Sequence, residues 1–147
     1  MERPFSLLVK PAGADCNLNC TYCFYLEKGE LYPDSKIHRM SDTVLEKLIS
    51  SYLQTTQEVY AFGWQGGEPT LMGLPFSKKV VSLQNRYAQQ GSAVSNGLQT
   101  NGTLLNDEMA AFFKEFNFLL GVSIDGPAEI HDIYRKNFSY LHTKCSV

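Results

Sequence analysis

The sequence predicts an α/β fold made of about four parallel βα units, and three observations carry that expectation. Short apolar, β-branched or aromatic runs alternate with longer stretches of helical periodicity. Every group of chemistry-bearing residues falls just past the end of a predicted strand, where parallel α/β architectures place their sites. The chain of 147 residues is long enough for one domain with a substantial core, and too short for two.

The first run, Phe5 to Val9, reads as a buried strand stopped by Pro11 and Gly13. Residues 27–40 are polar and turn-rich and read as a surface excursion. Ser41-Asp42-Thr43 offers N-caps for a helix whose inner face is Val44, Leu45, Leu48, Ile49 and Tyr52. Val59 to Trp64 is the second strand, ending in Gln65-Gly66-Gly67-Glu68-Pro69-Thr70. Pro75 starts a helix with Phe76, Val80, Leu83 and Tyr87 inside. Ala93 to Gln99 is a weaker strand before the turn Asn101-Gly102. Asn106 caps a third helix with Met109, Phe112, Phe113 and Phe116 inside. Phe118 to Asp125 is a strong fourth strand, and Gly126-Pro127 opens a fourth helix.

Composition narrows the function classes. A hydrophobic fraction of 44% with 19% charged residues is ordinary for a globular protein. A net charge of −2 gives no electrostatic case for nucleic acid or an anionic membrane surface. The opening apolar run is too short for a signal-peptide core or a membrane span, so a cytoplasmic location is expected. In that compartment four cysteines point to metal or redox chemistry before disulfides.

Three of them, Cys16, Cys20 and Cys23, form C-x3-C-x2-C directly after the first strand. Thiolates are soft ligands that select iron–sulfur clusters, zinc or copper(I). A four-iron cluster on three cysteines keeps one iron free for a small molecule. Three plainer readings compete. The spacing i, i+4, i+7 also suits a packed helical stripe. A zinc site would need a fourth ligand from His38, His131, His142 or Cys145. Disulfides would need an oxidising compartment.

Two further motifs follow the strands. The double glycine of Gly66-Gly67-Glu68-Pro69 lets the backbone approach a ligand closely, or simply makes a turn. Alternation along Val122, Ser123, Ile124 and Asp125 points both polar groups to one face; Asp125 equally suits an N-cap. Arg135, on the last predicted helix, has the planar fork that suits a carboxylate, and it equally suits a solvated surface. His131 reads as structural.

The cysteine motif, with an aromatic Tyr22 before its last cysteine, resembles the signature of radical S-adenosylmethionine (SAM) enzymes. The wider run from Cys16 to Tyr25, with Gly66-Gly67-Glu68-Pro69 downstream, is similar to anaerobic sulfatase-maturating enzymes, over residues 5 to about 136. The resemblance implies a partial TIM barrel, here represented by its first four or so units. It implies a [4Fe–4S] cluster on Cys16, Cys20 and Cys23 and SAM as second cofactor. Gly66, Gly67 and Glu68 would hold the methionine amino group, with Gly67 in direct contact. Ser123 would contact SAM, Arg135 its carboxylate, and Tyr22 would flank the adenine. Gln65 would face the substrate.

By the same resemblance, reductive cleavage of SAM gives a 5′-deoxyadenosyl radical that oxidises a cysteine or serine of a sulfatase polypeptide to formylglycine. The partners implied are that polypeptide and an electron donor. Related enzymes are more than twice as long. Their proton-accepting aspartate and auxiliary-cluster cysteines have no counterpart here, so no catalytic residue is assigned and a truncated fragment is expected. Residues 1–136 then form a partial core domain and 137–147 an atypical tail. The alternatives are a catalytically incompetent metal-binding remnant, or a radical SAM peptide-modifying enzyme of another branch.

Overall fold

A computed structural model describes residues 4–32 and 34–137. Among the described residues, four strands and four α-helices alternate strictly: β1 (Leu7–Val9), α1 (Asp42–Leu53), β2 (Val59–Trp64), α2 (Gly73–Tyr87), β3 (Ala93–Thr100), α3 (Asp107–Glu115), β4 (Leu119–Val122) and α4 (Ala128–Tyr134). The strands form one parallel sheet in the order β1-β2-β3-β4. This is the expected α/β class, with α1, α2 and α3 each crossing back over the sheet between neighbouring strands.

Strand alternation builds the core. Tyr60, Phe62 and Trp64 of β2 and Leu98 of β3 face the helices and are buried. They meet Leu45, Ile49, Tyr52 and Leu53 of α1, Val80 and Leu83 of α2, and Met109, Phe112 and Phe113 of α3. One polar network sits inside this apolar layer. Asn96 Oδ1 accepts from Trp64 Nε1 at 2.8 Å and from Gln84 Nε2 at 2.9 Å, and Asn96 Nδ2 donates to Gln84 Oε1 at 2.9 Å. Both hydrogen-bonding ends of the buried amide are thus used, which pins β2, β3 and α2 in one register.

The caps are where the sequence puts them. Ser41 Oγ accepts from Val44 N at 3.3 Å, and Asn106 Oδ1 accepts from Met109 N at 2.9 Å. Several expectations need correction. β1 has three residues, and Leu8 is 65% exposed, because it faces the open side of the sheet. Val44 lies on the outer side of α1. α2 begins at Gly73, two residues before Pro75, because the short 3-10 turn Pro69–Met72 leads straight into it. Phe116 is the C-cap of α3 and half-buried; its ring still meets Phe112 at 4.7 Å. β4 stops at Val122 and is exposed, Leu119 at 77%. By contrast β3, the weak strand of the sequence, is the longest in the sheet. Pairing on both sides and the Asn96 network supply what its side-chain propensities lack.

The chain beyond α4 turns back onto the cysteine loop. Asn19 N donates to Lys136 O at 2.5 Å, Thr21 N donates to Tyr134 O at 3.0 Å, and Leu18 bridges Asn137 in antiparallel fashion. Asn137, the first residue of the expected atypical tail, thus pairs with the cysteine loop; residues 138–147, with His142 and Cys145, lie outside the described residues.

Candidate functional site

The carboxyl ends of the four strands open into a cavity of about 370 Å3. That is within the range of small-molecule sites. Cys16, Cys20 and Cys23 all line it, joined by Tyr22, Gly66, Gly67, Ser123 and Arg135. Gln65, Gln99, Thr100 and Asn101 complete the polar part of the wall. Residues up to 119 positions apart thus converge on one place, as the strand-end argument requires.

All three thiols are free, and Cys20 is only 7% exposed. Burial pushes the Cys16 and Cys20 thiols up; the Arg135 charge pulls Cys20 the other way. A bound cation is what would convert such buried thiols to thiolates. Among the described residues, no three His, Cys, Asp or Glu converge tightly enough for a single metal ion. Of the histidines weighed as a fourth zinc ligand, His38 is held by Asp15 at 2.7 Å, and His131 is buried with Nδ1 3.5 Å from Asp125 N. Among the described residues, three soft donors spread around one cavity with no fourth joining them, an arrangement that fits a group whose ligands sit on separate irons.

The glycine pair has a role the sequence did not suggest. Both residues have positive φ, +78° at Gly66 and +45° at Gly67. A Cβ on Gly67 would overlap the Asp15 carbonyl oxygen and come within 2.9 Å of the Ala14 carbonyl carbon. The close backbone approach that demands glycine is therefore made by the cysteine loop itself. Glu68 N donates to that same Asp15 oxygen at 2.7 Å. The Glu68 side chain, expected at the cofactor, is 1% exposed and turned into the scaffold. It accepts from Thr70 N, Thr70 Oγ1, Thr100 Oγ1 and Asn101 N at 2.5–2.9 Å. It buckles the end of β2 to the end of β3.

Across the cavity, Asp125 joins Tyr22 to Arg135. Tyr22 Oη donates to Asp125 Oδ2 at 2.5 Å; Arg135 donates from Nη2 to Oδ1 and pairs from Nε with Oδ2, each at 3.0 Å. The guanidinium also lies 5.7 Å from the Tyr22 ring centroid. Arg135 holds the Asp125 carboxyl below the usual carboxylate range. Burial, then the bond to Asp125, pushes the Tyr22 hydroxyl up to about 12. Burial opposes the charge on Arg135, but Asp125 more than compensates and its pKa stands above the ordinary value. Asp125 is thus the partner of Arg135 and Tyr22; the N-cap of α4 is Pro127. Ser123 Oγ accepts from Gln99 Nε2 at 2.8 Å on the cavity wall. The reach of Asp125 to Tyr22, across 103 positions, has no sequence signal.

On the other side of the cysteine loop, Asp15 receives His38 N and Nδ1, both at 2.7 Å, and Arg39. Burial works against the Asp15 charge, yet these partners bring its carboxyl below the ordinary value. The excursion of residues 27–40 is anchored through this pair, which composition alone did not reveal.

The sequence profile of the radical SAM superfamily matches residues 11–142. The chain belongs to the radical SAM superfamily. Membership carries a [4Fe–4S] cluster and S-adenosylmethionine as cofactors. Among curated relatives, the chain is 52% identical over 136 residues to a serine-type anaerobic sulfatase-maturating enzyme of Bacteroides thetaiotaomicron, covering 92% of this chain and 33% of that one. It is 44% identical over 140 residues to a cysteine-type anaerobic sulfatase-maturating enzyme of Clostridium perfringens, covering 95% and 38%. The solved structure of native anSMEcpe with bound AdoMet and Cp18Cys peptide superposes with a TM-score of 0.85 at 43% identity, over 96% of this chain and 37% of that one. The chain therefore spans about a third of the length of these proteins, and its fold corresponds to part of theirs.

Proposed function

We propose that this chain carries the cluster and SAM site of an anaerobic sulfatase-maturating enzyme, which oxidises a cysteine or serine of a sulfatase polypeptide to formylglycine. The observation that carries the reading is the convergence of Cys16, Cys20 and Cys23 on one cavity with Gly66, Gly67, Ser123 and Arg135. The matching relatives include both serine-type and cysteine-type enzymes. When bound, the cluster and SAM supply the one-electron chemistry that removes a hydrogen atom from the substrate.

The protein's own residues do the rest. Cys16, Cys20 and Cys23 hold the cluster. The Gly66-Gly67 turn brings backbone groups to the cavity wall, where SAM's amino group is held. Arg135, set by Asp125, faces the SAM carboxylate, and Tyr22, tied to the same aspartate, flanks the adenine. Glu68 acts from the scaffold, by keeping the β2 and β3 ends together. Gln65 faces the substrate. An external one-electron donor completes the system, and the setting is cytoplasmic; among the described residues no helix is long and apolar enough to cross a membrane.

The test is anaerobic reconstitution with iron and sulfide, then dithionite and SAM with a sulfatase peptide. Iron content, a cluster absorbance band and 5′-deoxyadenosine are expected. Formylglycine in the peptide, read by mass, tests the full activity. A chain that binds zinc in place of iron, or releases no 5′-deoxyadenosine, would overturn the reading.

A further inference from the structure

Cys16 differs from the other two cysteines in what reaches its sulfur. Leu18 N donates to Cys16 Sγ at 3.3 Å, and Asn101 Nδ2 donates to it at 3.6 Å. Among the described residues, no hydrogen bond is recorded on the sulfur of Cys20 or Cys23. The Leu18 contact comes from the cysteine loop itself. The Asn101 contact crosses 85 positions, from the turn that ends β3.

The orientation of the Asn101 amide follows from its surroundings. Thr103 N, a backbone group that can only donate, points at Asn101 Oδ1 at 3.0 Å; Thr103 Oγ1 reaches the same oxygen at 2.7 Å. The oxygen side of the amide is therefore committed to Thr103, which leaves the NH2 side facing the cysteine loop. One of its hydrogens goes to Asn17 Oδ1 at 2.9 Å, and Asn17 Nδ2 closes the ring by donating to Thr103 Oγ1 at 2.7 Å. The other goes to sulfur. Asn101 N is itself held by Glu68 Oε2 at 2.7 Å. Both the backbone and the side chain of Asn101 are thus locked, and one N–H is left aimed at a cluster ligand.

We propose that Asn101 is a positioning residue for the cluster, and that its N–H on the Cys16 sulfur raises the cluster's reduction potential. The inference rests on the reading that Cys16, Cys20 and Cys23 hold the cluster. Reduction adds one electron and no proton, and no bond forms or breaks; the added negative charge spreads onto the thiolate sulfurs. A fixed donor on sulfur stabilises the reduced form more than the oxidised one. Asn101 acts through Cys16, in the way that outer-shell partners tune a metal group.

The experiment is a dithionite-poised redox titration of the reconstituted full chain, followed by absorbance and electron paramagnetic resonance without SAM. Leaving SAM out separates an effect on the cluster from any contact Asn101 makes with ligand in the cavity. Asn101→Ala removes the donor. Asn101→Asp keeps the shape and the acceptor for Thr103, but replaces the donor with a carboxylate. At the potential where the parent protein is half reduced, Asn101→Ala should show a reduced-to-oxidised ratio lower by about threefold or more, as befits one lost hydrogen bond. Asn101→Asp should fall further, with iron content near the parent's. Equal midpoints in all three proteins, each holding the same iron, would overturn the assignment and leave the cysteine reading intact. Loss of iron in both variants would also overturn it, since Asn101 would then be a brace for the loop. A parent chain that retains no iron would remove the cysteine reading, and this inference with it.

Discussion

Gly67→Ala is the sharpest test of how the cysteine loop is held. The new Cβ would overlap the Asp15 carbonyl oxygen and sit 2.9 Å from the Asp15 and Ala14 carbonyl carbons. Backbone cannot swing aside as a flexible side chain does, so the cysteine loop must move. The left-handed φ of +45° adds about 1–2 kcal/mol for a residue with a Cβ. Displacing Asp15 O breaks the 2.7 Å bond from Glu68 N, worth about 1 kcal/mol net. Overpacking contributes about 1–3 kcal/mol more. The total is about 3–6 kcal/mol, a fall in Tm of about 10 °C or more for a chain of this length. Gly91→Ala is the control, because Gly91 has φ +86° but open space around its missing Cβ. It should show the backbone cost alone, about 1–2 kcal/mol. The assay is thermal unfolding of both apo variants by circular dichroism, with iron content after reconstitution as second readout. Cys16 follows Asp15 directly, so Gly67→Ala should also lose iron. If Gly67→Ala melts no lower than Gly91→Ala and loads iron like the parent, the account of this contact is wrong.

Other perturbations address the scaffold and the cavity wall. Asn96→Ala strands the Trp64 and Gln84 donors in the core and should lower the unfolding free energy by about 2–4 kcal/mol in urea titrations. Asn106→Ala removes the α3 cap and should cost about 1 kcal/mol in the same assay. Asp125 has a depressed pKa in the folded state, so its contribution to stability is present above the ordinary carboxylate pKa of about 4 and is lost as pH falls through the lowered value. The urea midpoint should therefore drop more steeply between neutral pH and pH ~3 in the parent than in Asp125→Asn; parallel curves would show that the Arg135 pair does not stabilise the fold. Cys23→Ser should abolish the cluster absorbance while leaving the apo circular dichroism spectrum unchanged, and a retained chromophore would remove Cys23 from the ligand set.

What sequence reveals here follows the range of the interactions concerned. The C-x3-C-x2-C spacing is local, so the ligand loop is legible without a structure. The caps at Ser41 and Asn106 act within three residues and are read as easily. Strand and helix order follows from periodicity, and the parallel sheet follows from that order. The errors lie where a neighbour far along the chain decides. Leu8 and β4 look like core segments by composition, yet Leu8 and Leu119 face the open side of the sheet, and Leu120, level with Leu98 on the helix side, stays partly exposed.

The same division runs through the site. That Gly66-Gly67 matters is visible in the chain; that Gly67 must be glycine because Asp15 O lies against it appears only when the two loops meet. Glu68 reads as a ligand residue by its motif. Folding turns its carboxylate inward instead, because Thr100 and Asn101 at the end of β3 offer donors there. Asp125 binds Tyr22 and Arg135, and Asn101 reaches Cys16, across gaps that no spacing rule spans. The amino-acid order alone thus determined the proposed ligand set and the succession of elements, since both rest on covalent neighbours and repeat periods. Which polar groups face the cavity and which brace its walls was settled by tertiary packing, because a buried donor or acceptor must take whatever partner the opposite strand brings within reach.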